Sequence, residues 1–156
     1  NLCQRVTAFA IKNCDGKIPL EVKFQDEDLL ILNKYKDNLD NIRSKIDSQN
    51  INFYIDYIVN SLFEANKYFN DQEPWKKKDD LIRLNTIVYT TLEIVRKISF
   101  LLYPIIPETS LKALKIFDID EIDIKLNTVS NNEYLIKGNN LNKIDILFKK
   151  IEKNND

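Results

Sequence analysis

Apolar residues recur at intervals of three and four along most of this chain, the spacing of one face of an α-helix. The clearest stripe consists of Ile51, Ile55, Ile58, Leu62, Ala65 and Phe69. The 156 residues include only 2 glycines and 4 prolines, too few to supply the turns of a many-stranded sheet. The sequence therefore predicts an all-α protein, folded as an antiparallel helix bundle with an irregular C-terminal extension.

The same spacing gives approximate bounds for the helices. We predict helices over residues 1–13, 26–48, 51–69 and 79–102, then a short helix from Pro107 through Leu111 and Leu114. The helix at 79–102 is the most apolar, which favours a central position in the bundle. Gly16 is predicted to end the first helix in a left-handed conformation, and Asp26 is predicted to cap the second.

The helical pattern weakens after Asp118. Residues 119–126 alternate and residues 133–138 are short and extended, so they are predicted either to pair as a hairpin or to lie as a strap over the bundle. Further apolar residues predict a terminal anchor, namely Ile144, Ile146, Leu147, Phe148 and Ile151. We therefore expect a bundle over residues 1–118 and a C-terminal extension of the same domain over residues 119–156.

The composition excludes several kinds of chemistry. The chain has 23 basic and 24 acidic side chains, so nucleic-acid contact would need a local patch and not a uniformly basic surface. It has no histidine and no glycine-rich phosphate loop, and Cys3 and Cys14 alone make no zinc pattern. No apolar run is long enough for a membrane span. We predict no catalytic residue, no metal, no cofactor and no membrane contact, hence a binding or structural module.

The single tryptophan lies at a helix break. Trp75 follows Pro74 and is followed by Lys76, Lys77 and Lys78. A ring beside cations can stack on a nucleic-acid base while the lysines attract phosphate. Alternatively, the ring fills a gap between helices and the lysines are a solvated run. The local sequence leaves both interpretations open.

Four segments, in order, are similar to one known family. The first, residues 1–5, reads Asn-Leu-Cys-Gln-Arg and is followed by Asp-Gly-Lys-Ile-Pro19. The second, residues 65–75, ends in Pro-Trp, and the third, residues 103–109, ends in Pro-Ile-Ile-Pro-Glu-Thr. The fourth, residues 147–152, reads Leu-Phe-Lys-Lys-Ile-Glu. They resemble the anticodon-binding domain of bacterial methionyl-tRNA synthetase, a class I aminoacyl-tRNA synthetase, although Lys149 stands where that family usually has proline. The first segment combined with Pro-Trp is what indicates methionine.

The resemblance implies a set of RNA-binding residues. Asn1, Arg5 and Trp75 would read the CAU anticodon in the anticodon loop of tRNA(Met). Side chains four apart on a helix leave the same face, and an amide and a guanidinium can both bond base edges or backbone. Trp75 would stack on a splayed base. We add Lys76–Lys78 as candidate phosphate contacts, and we expect Trp75 to expose a ring face on the same surface as Arg5.

The resemblance also implies what this chain lacks. The family's catalytic domain has His-x-Gly-His and Lys-Met-Ser-Lys-Ser motifs, and neither can occur in a chain without histidine or methionine. Because the sequence starts at Asn1 without an initiator methionine, we also expect the chain to begin inside a larger gene product or to follow a trimmed tag. The implied parent is a cytoplasmic enzyme that attaches methionine to tRNA with ATP and Mg²⁺, and its catalytic domain is a second expected partner. Two alternatives remain open: the anticodon domain of another class I synthetase, for leucine, isoleucine, valine or cysteine, and a helical module that binds a protein.

Overall fold

The computed structural model describes residues 2–144, and in that range the chain forms α-helices and short 3-10 turns without a β-strand. The helices are α1 (Leu2–Asn13), α2 (Asp26–Asp37), α3 (Leu39–Asp47), α4 (Ile51–Gln72), α5 (Leu81–Leu102) and α6 (Pro107–Leu114). A 3-10 turn, Lys115–Phe117, continues α6. The predicted all-α fold is confirmed.

Helix α5 is the centre of the bundle. Every residue from Thr86 to Leu101 is buried, and α5 packs against α1, α2, α4 and α6. A helix surrounded by other elements must be apolar on most sides, which is the pattern that predicted its position. Its start is two residues later than predicted, because the carboxylate of Asp80 accepts a 3.0 Å hydrogen bond from the backbone N–H of Arg83 and caps the helix.

The predicted second helix, 26–48, is wrong as a single element. It is divided into α2 and α3 at Asn38, whose side-chain amide and backbone N–H both donate to the carbonyl oxygen of Lys34, at 2.7 and 3.1 Å. Asparagine side chains compete in this way with the helical hydrogen-bond ladder. The predicted cap is also wrong: α2 is capped at Gln25, whose N–H donates to Asp28, so Asp26 is already in the first turn.

The segment after α6 lies as a strap over the bundle, and the predicted hairpin is wrong. The strap contains 3-10 turns at Glu121–Asp123 and Leu126–Ser130. It returns to the loop after α1, where the backbone of Ile18 exchanges 2.8 Å hydrogen bonds with Asn139 and Gly138. Gly16, in that same loop, has the predicted left-handed conformation. Of the predicted terminal anchor, Ile144 is half-buried against the core, and the positions beyond it lie outside the described residues.

Buried charges on α5 hold the strap in place. Arg96 donates to the carbonyl oxygens of Thr128 and Asn131, at 2.9 and 2.6 Å, while Glu93 accepts a 2.7 Å bond from the N–H of Leu135. Arg96 also donates to Glu93 at 2.5 Å, so the two charges compensate one another. These bonds satisfy backbone groups that no strand partner is available to satisfy, which explains how an irregular segment can be packed on the core.

A third charge on the same helix, Lys97, should make stability depend on pH. Burial and the neighbouring Arg96 lower the pKa of Lys97 to about 7, although Glu93 acts in the opposite direction. Above pH 7 the unfolded chain holds this proton more tightly than the folded chain, so stability should rise with pH. We expect wild type to gain about 2 kcal/mol between pH 7 and pH 9 relative to Lys97→Met, as measured by urea unfolding. Equal pH dependence of the two proteins would contradict this prediction.

Candidate nucleic-acid interface

The Pro-Trp turn is built where α4 ends. Glu73 adopts a left-handed conformation, with φ 45° and ψ 58°, which terminates the helix. Pro74 then starts a 3-10 turn, Pro74–Lys76, in which the N–H of Lys77 donates to the Pro74 carbonyl at 3.1 Å. Pro74 is buried, whereas 40% of the Trp75 surface remains exposed. The turn therefore anchors itself through the proline and presents the indole at the surface.

Arg5 and Trp75 lie on the same part of the surface, as predicted. Both contact Phe69: the indole and phenyl ring centroids are 5.9 Å apart at an angle of 70°, and the Arg5 guanidinium carbon is 5.5 Å from the Phe69 centroid. Arg5 also donates a 2.7 Å hydrogen bond to the side-chain oxygen of Asn70. The indole is thus partly packed and partly open, so it is not the fully buried plug of the alternative interpretation.

Arg5 lies at this surface because the apolar face of α1 is packed in the core. Leu2, Val6 and Ala10 are buried, which turns Arg5 and Phe9 toward the end of α4. Phe9 meets the same Phe69 ring edge-on, with centroids 6.1 Å apart. Asn1, the other predicted contact on this helix, lies outside the described residues.

The three lysines differ in their surroundings. Lys76 forms a 2.8 Å ion pair with Glu73, Lys77 is half-buried, and Lys78 is exposed. Two exposed acids, Asp79 and Asp80, follow them directly. The local charge is therefore mixed and the charge of Lys76 is already compensated, so this turn supplies less positive potential than three consecutive lysines imply.

A buried ion pair stabilises the end of α4 at the start of the Pro-Trp turn. The fully buried carboxylate of Asp28 accepts hydrogen bonds from both terminal nitrogens of Arg83, at 2.7 and 3.2 Å. It also accepts a hydrogen bond from the hydroxyl of Tyr68. Arg83 also donates a 2.6 Å bond to the side-chain oxygen of Gln72, the last residue of α4. Although burial alone lowers the pKa of Arg83, the hydrogen bonds and charge of Asp28 raise it above its ordinary value. Three helices are thereby tied together next to Trp75.

The sequence did not identify Phe69, Asn70 or the Asp28–Arg83 pair as parts of this site. Phe69 belongs to the apolar stripe of its helix, and nothing local distinguishes it from a core residue. One signal was present: Arg5 and Phe9 are four residues apart on one helix, a spacing that places an aromatic ring beside a cation. Which ring on α4 they meet depends on how the two helices pack, and periodicity does not determine that.

The two cysteines of the chain are free thiols. Burial raises the pKa of both Cys3 and Cys14 to about 11, so both thiols are protonated at neutral pH, and they are not joined by a disulfide. Residues 2–144 contain no cluster of His, Cys, Asp and Glu that could hold a metal ion. Over the same range, no helix has both the length and the hydrophobicity to cross a bilayer.

Taken together, these features define an all-α domain in which an aromatic and a cationic side chain, Trp75 and Arg5, contact the same buried ring near the surface. A family model described as the anticodon binding domain of methionyl tRNA ligase matches residues 18–156, and the chain belongs to this family. This membership favours the methionine family over the other class I synthetases and over a protein-interaction module.

Individual relatives agree with the family. The methionine–tRNA ligase of Brucella suis biovar 1 is 35% identical over 120 residues, which are 76% of this chain and 23% of that protein. The enzyme of Mycobacterium leprae is 34% identical over 126 residues, 78% of this chain and 24% of that protein. The chain thus spans under a quarter of the length of these curated relatives.

Solved structures show the same fold. The apo form of Mycobacterium tuberculosis methionyl-tRNA synthetase superposes with a TM-score of 0.88 at 29% identity, covering 97% of this chain and 31% of that one. The same enzyme in complex with methionyl-adenylate gives a TM-score of 0.87 at 30% identity, covering 96% and 30%.

Proposed function

We propose that this chain binds the anticodon loop of tRNA(Met) and recognises its CAU anticodon on behalf of a methionine–tRNA ligase. The observation that supports this most directly is that Arg5 and Trp75 both contact Phe69, with the guanidinium carbon 5.5 Å and the indole centroid 5.9 Å from the centre of its ring. Single-stranded RNA loops are recognised by stacking splayed bases on aromatic rings and by hydrogen bonds to base edges. One exposed ring and one guanidinium on the same surface can supply both.

Each side chain has a distinct role in this proposal. The open face of Trp75 stacks on one anticodon base. Arg5 has five N–H donors, and its bond to Asn70 uses one of them, so donors remain for base edges or phosphates. Asn1 reads a base edge through its amide. Lys77 and Lys78 attract phosphate, and Lys76 contributes less while it is paired with Glu73.

The parent polypeptide supplies the chemistry. We propose that it attaches methionine to tRNA in the cytoplasm with ATP and Mg²⁺, using a catalytic domain separate from this chain. Within the chain, residues 1–118 are the anticodon-binding bundle and residues 119–156 are its C-terminal extension. The isolated chain should bind tRNA weakly, because the contacts of the rest of the enzyme no longer add to the same binding event.

Removing the ring of Trp75 should weaken binding of a CAU anticodon stem-loop. Stacking on an aromatic side chain stabilises binding by about 1–3 kcal/mol per base, so Trp75→Ala should raise Kd by roughly 5- to 150-fold. Arg5→Ala should also raise Kd. Titration of a labelled stem-loop into each protein measures the effect. Phe63→Ala is a matched control, because Phe63 is an aromatic residue of α4 that is 69% exposed and is not among the ring and cation contacts of Phe69.

Two further binding measurements distinguish this proposal from another class I synthetase and from a protein-binding module. If stem-loops with other anticodons bind as well as CAU, the methionine assignment is wrong even where Trp75 matters. Binding should also weaken steeply with salt if phosphates are contacted, whereas an apolar groove for a protein would respond little. Unchanged affinity in both Trp75→Ala and Arg5→Ala would remove this surface from the RNA site.

A further inference from the structure

Phe69 is in contact with three other side chains of the candidate interface but is itself inaccessible. It lies in the last turn of α4 with 2% of its surface exposed. Arg5 sits over the ring at 5.5 Å, Trp75 meets it at 5.9 Å and Phe9 at 6.1 Å, the last two edge-on at 70° and 84°. The two residues proposed to touch RNA therefore share one rigid neighbour that cannot touch RNA.

The geometry of these contacts constrains both outer groups. A guanidinium over an aromatic face is attracted by the ring quadrupole, and edge-to-face packing sets the angle between two rings. Without such contacts, an arginine on a helix surface and an indole on a 3-10 turn would each sample several rotamers. The hydrogen bond from Arg5 to Asn70, which adjoins Phe69, fixes the guanidinium from a second direction.

We propose that Phe69 is a positioning residue for RNA recognition. Its ring sets the distance and orientation between Arg5 and Trp75, so that stacking on one base and hydrogen bonding to its neighbour occur in one bound geometry. Holding both groups before RNA arrives lowers the entropy lost on binding. This inference rests on the proposed function, because the relative placement of the two side chains matters only if both contact RNA.

A purely structural role for Phe69 predicts something different. A buried ring that only fills the core would affect binding through the fraction of folded protein, and any other core substitution of equal cost would do the same. A positioning role is instead specific to Arg5 and Trp75. Its effect should disappear once either of those side chains has been removed, because nothing is left to align.

The test replaces the ring by aliphatic side chains in the 156-residue chain. Phe69→Leu removes both the cation–π and the edge-to-face contact, and we expect Kd for the CAU stem-loop to rise about 5- to 20-fold. Phe69→Met, a second ring-less side chain, should behave alike and can replace the leucine variant if that variant folds poorly. In an Arg5→Ala or Trp75→Ala background, the same substitution should change Kd by less than about twofold. Ile58→Val, also buried on α4, controls for loss of core packing.

The possible results separate this inference from the function on which it rests. If Phe69→Leu and Phe69→Met bind like wild type while Arg5→Ala and Trp75→Ala bind weakly, positioning by Phe69 is wrong and the proposed function stands. If Ile58→Val weakens binding as much as Phe69→Leu, or if the effect of Phe69→Leu persists in both alanine backgrounds, Phe69 acts through stability alone. If Arg5→Ala and Trp75→Ala themselves bind like wild type, the proposed function fails.

Discussion

Replacing Asp28 by asparagine should cost about 3–5 kcal/mol of folding free energy. The substitution keeps the shape of the side chain but removes the charge that Arg83 faces through two hydrogen bonds. Breaking one side of a buried ion pair leaves the other charge without compensation, which is far more costly than losing an exposed pair. Since domains of this size have about 5–15 kcal/mol in total, urea unfolding should show a large shift of the midpoint.

Asp26→Asn is the matched control for Asp28→Asn. Asp26 is exposed in the first turn of the same helix, so its loss should cost less than about 1 kcal/mol. The double variant Asp28→Asn/Arg83→Met should lose much less than the sum of the two single variants, because the second substitution removes the unpaired charge. Additive losses would mean that the two side chains are not coupled in the folded protein.

The Asp28 substitution should also loosen the Pro-Trp turn at the surface proposed to bind RNA. Arg83 joins Asp28 to Gln72, and Gln72 is the residue at which α4 gives way to the Pro-Trp turn. With the carboxylate charge removed, this end of α4 loses one of its fixed points. Amide hydrogen exchange in the Pro-Trp turn, compared with exchange at the centre of α5, would show whether the turn opens before the core does.

Glu93→Gln should have an effect of similar size, about 3–5 kcal/mol, at a second buried ion pair of α5. Glu93 is fully buried, with one oxygen accepting from Arg96 and the other from the N–H of Leu135. A glutamine has only one oxygen, so its NH₂ group must face another donor and one buried group loses its partner. The loss should appear in urea unfolding and as faster exchange of the Leu135 amide, because the strap is released.

Glu108→Gln provides the comparison, since Glu108 is exposed in the first turn of α6 and should lose less than about 1 kcal/mol. An equal loss in the two variants would indicate that burial of the Glu93 charge is unimportant. Unchanged exchange at Leu135 would show that the strap is held by other contacts, such as the bond from Tyr89 to the carbonyl of Leu135.

The helices could be predicted because their signal is local. Burial of α5 on all sides, the stripe of α4 and the stop at Gly16 follow from residue spacing and backbone preference, without knowledge of the neighbours. The errors have two different causes. Asn38 divides the predicted second helix through a local side-chain bond to Lys34, which apolar spacing does not reveal. The strap depends on Arg96 and Glu93, which lie more than 30 residues away from their partners in sequence.

Only part of the candidate interface could be predicted from the sequence. Arg5 and Trp75 follow from segments that resemble a family, and their proximity is an expectation that the structure confirms. Phe69 could not be found in that way, because its importance comes from the crossing of α1 and α4. The number of lysines after Trp75 overstates their charge, because the pairing of Lys76 with Glu73 reduces their net effect.

Trp75, the only tryptophan of the chain, has a practical consequence for solution work. Light at the red edge of the protein absorption excites indole but not the tyrosines. Emission under those conditions therefore originates from one place, the turn beside Arg5. The chain contains its own optical label at the surface proposed to receive RNA, and occupancy of that surface can be followed by fluorescence without attaching a dye.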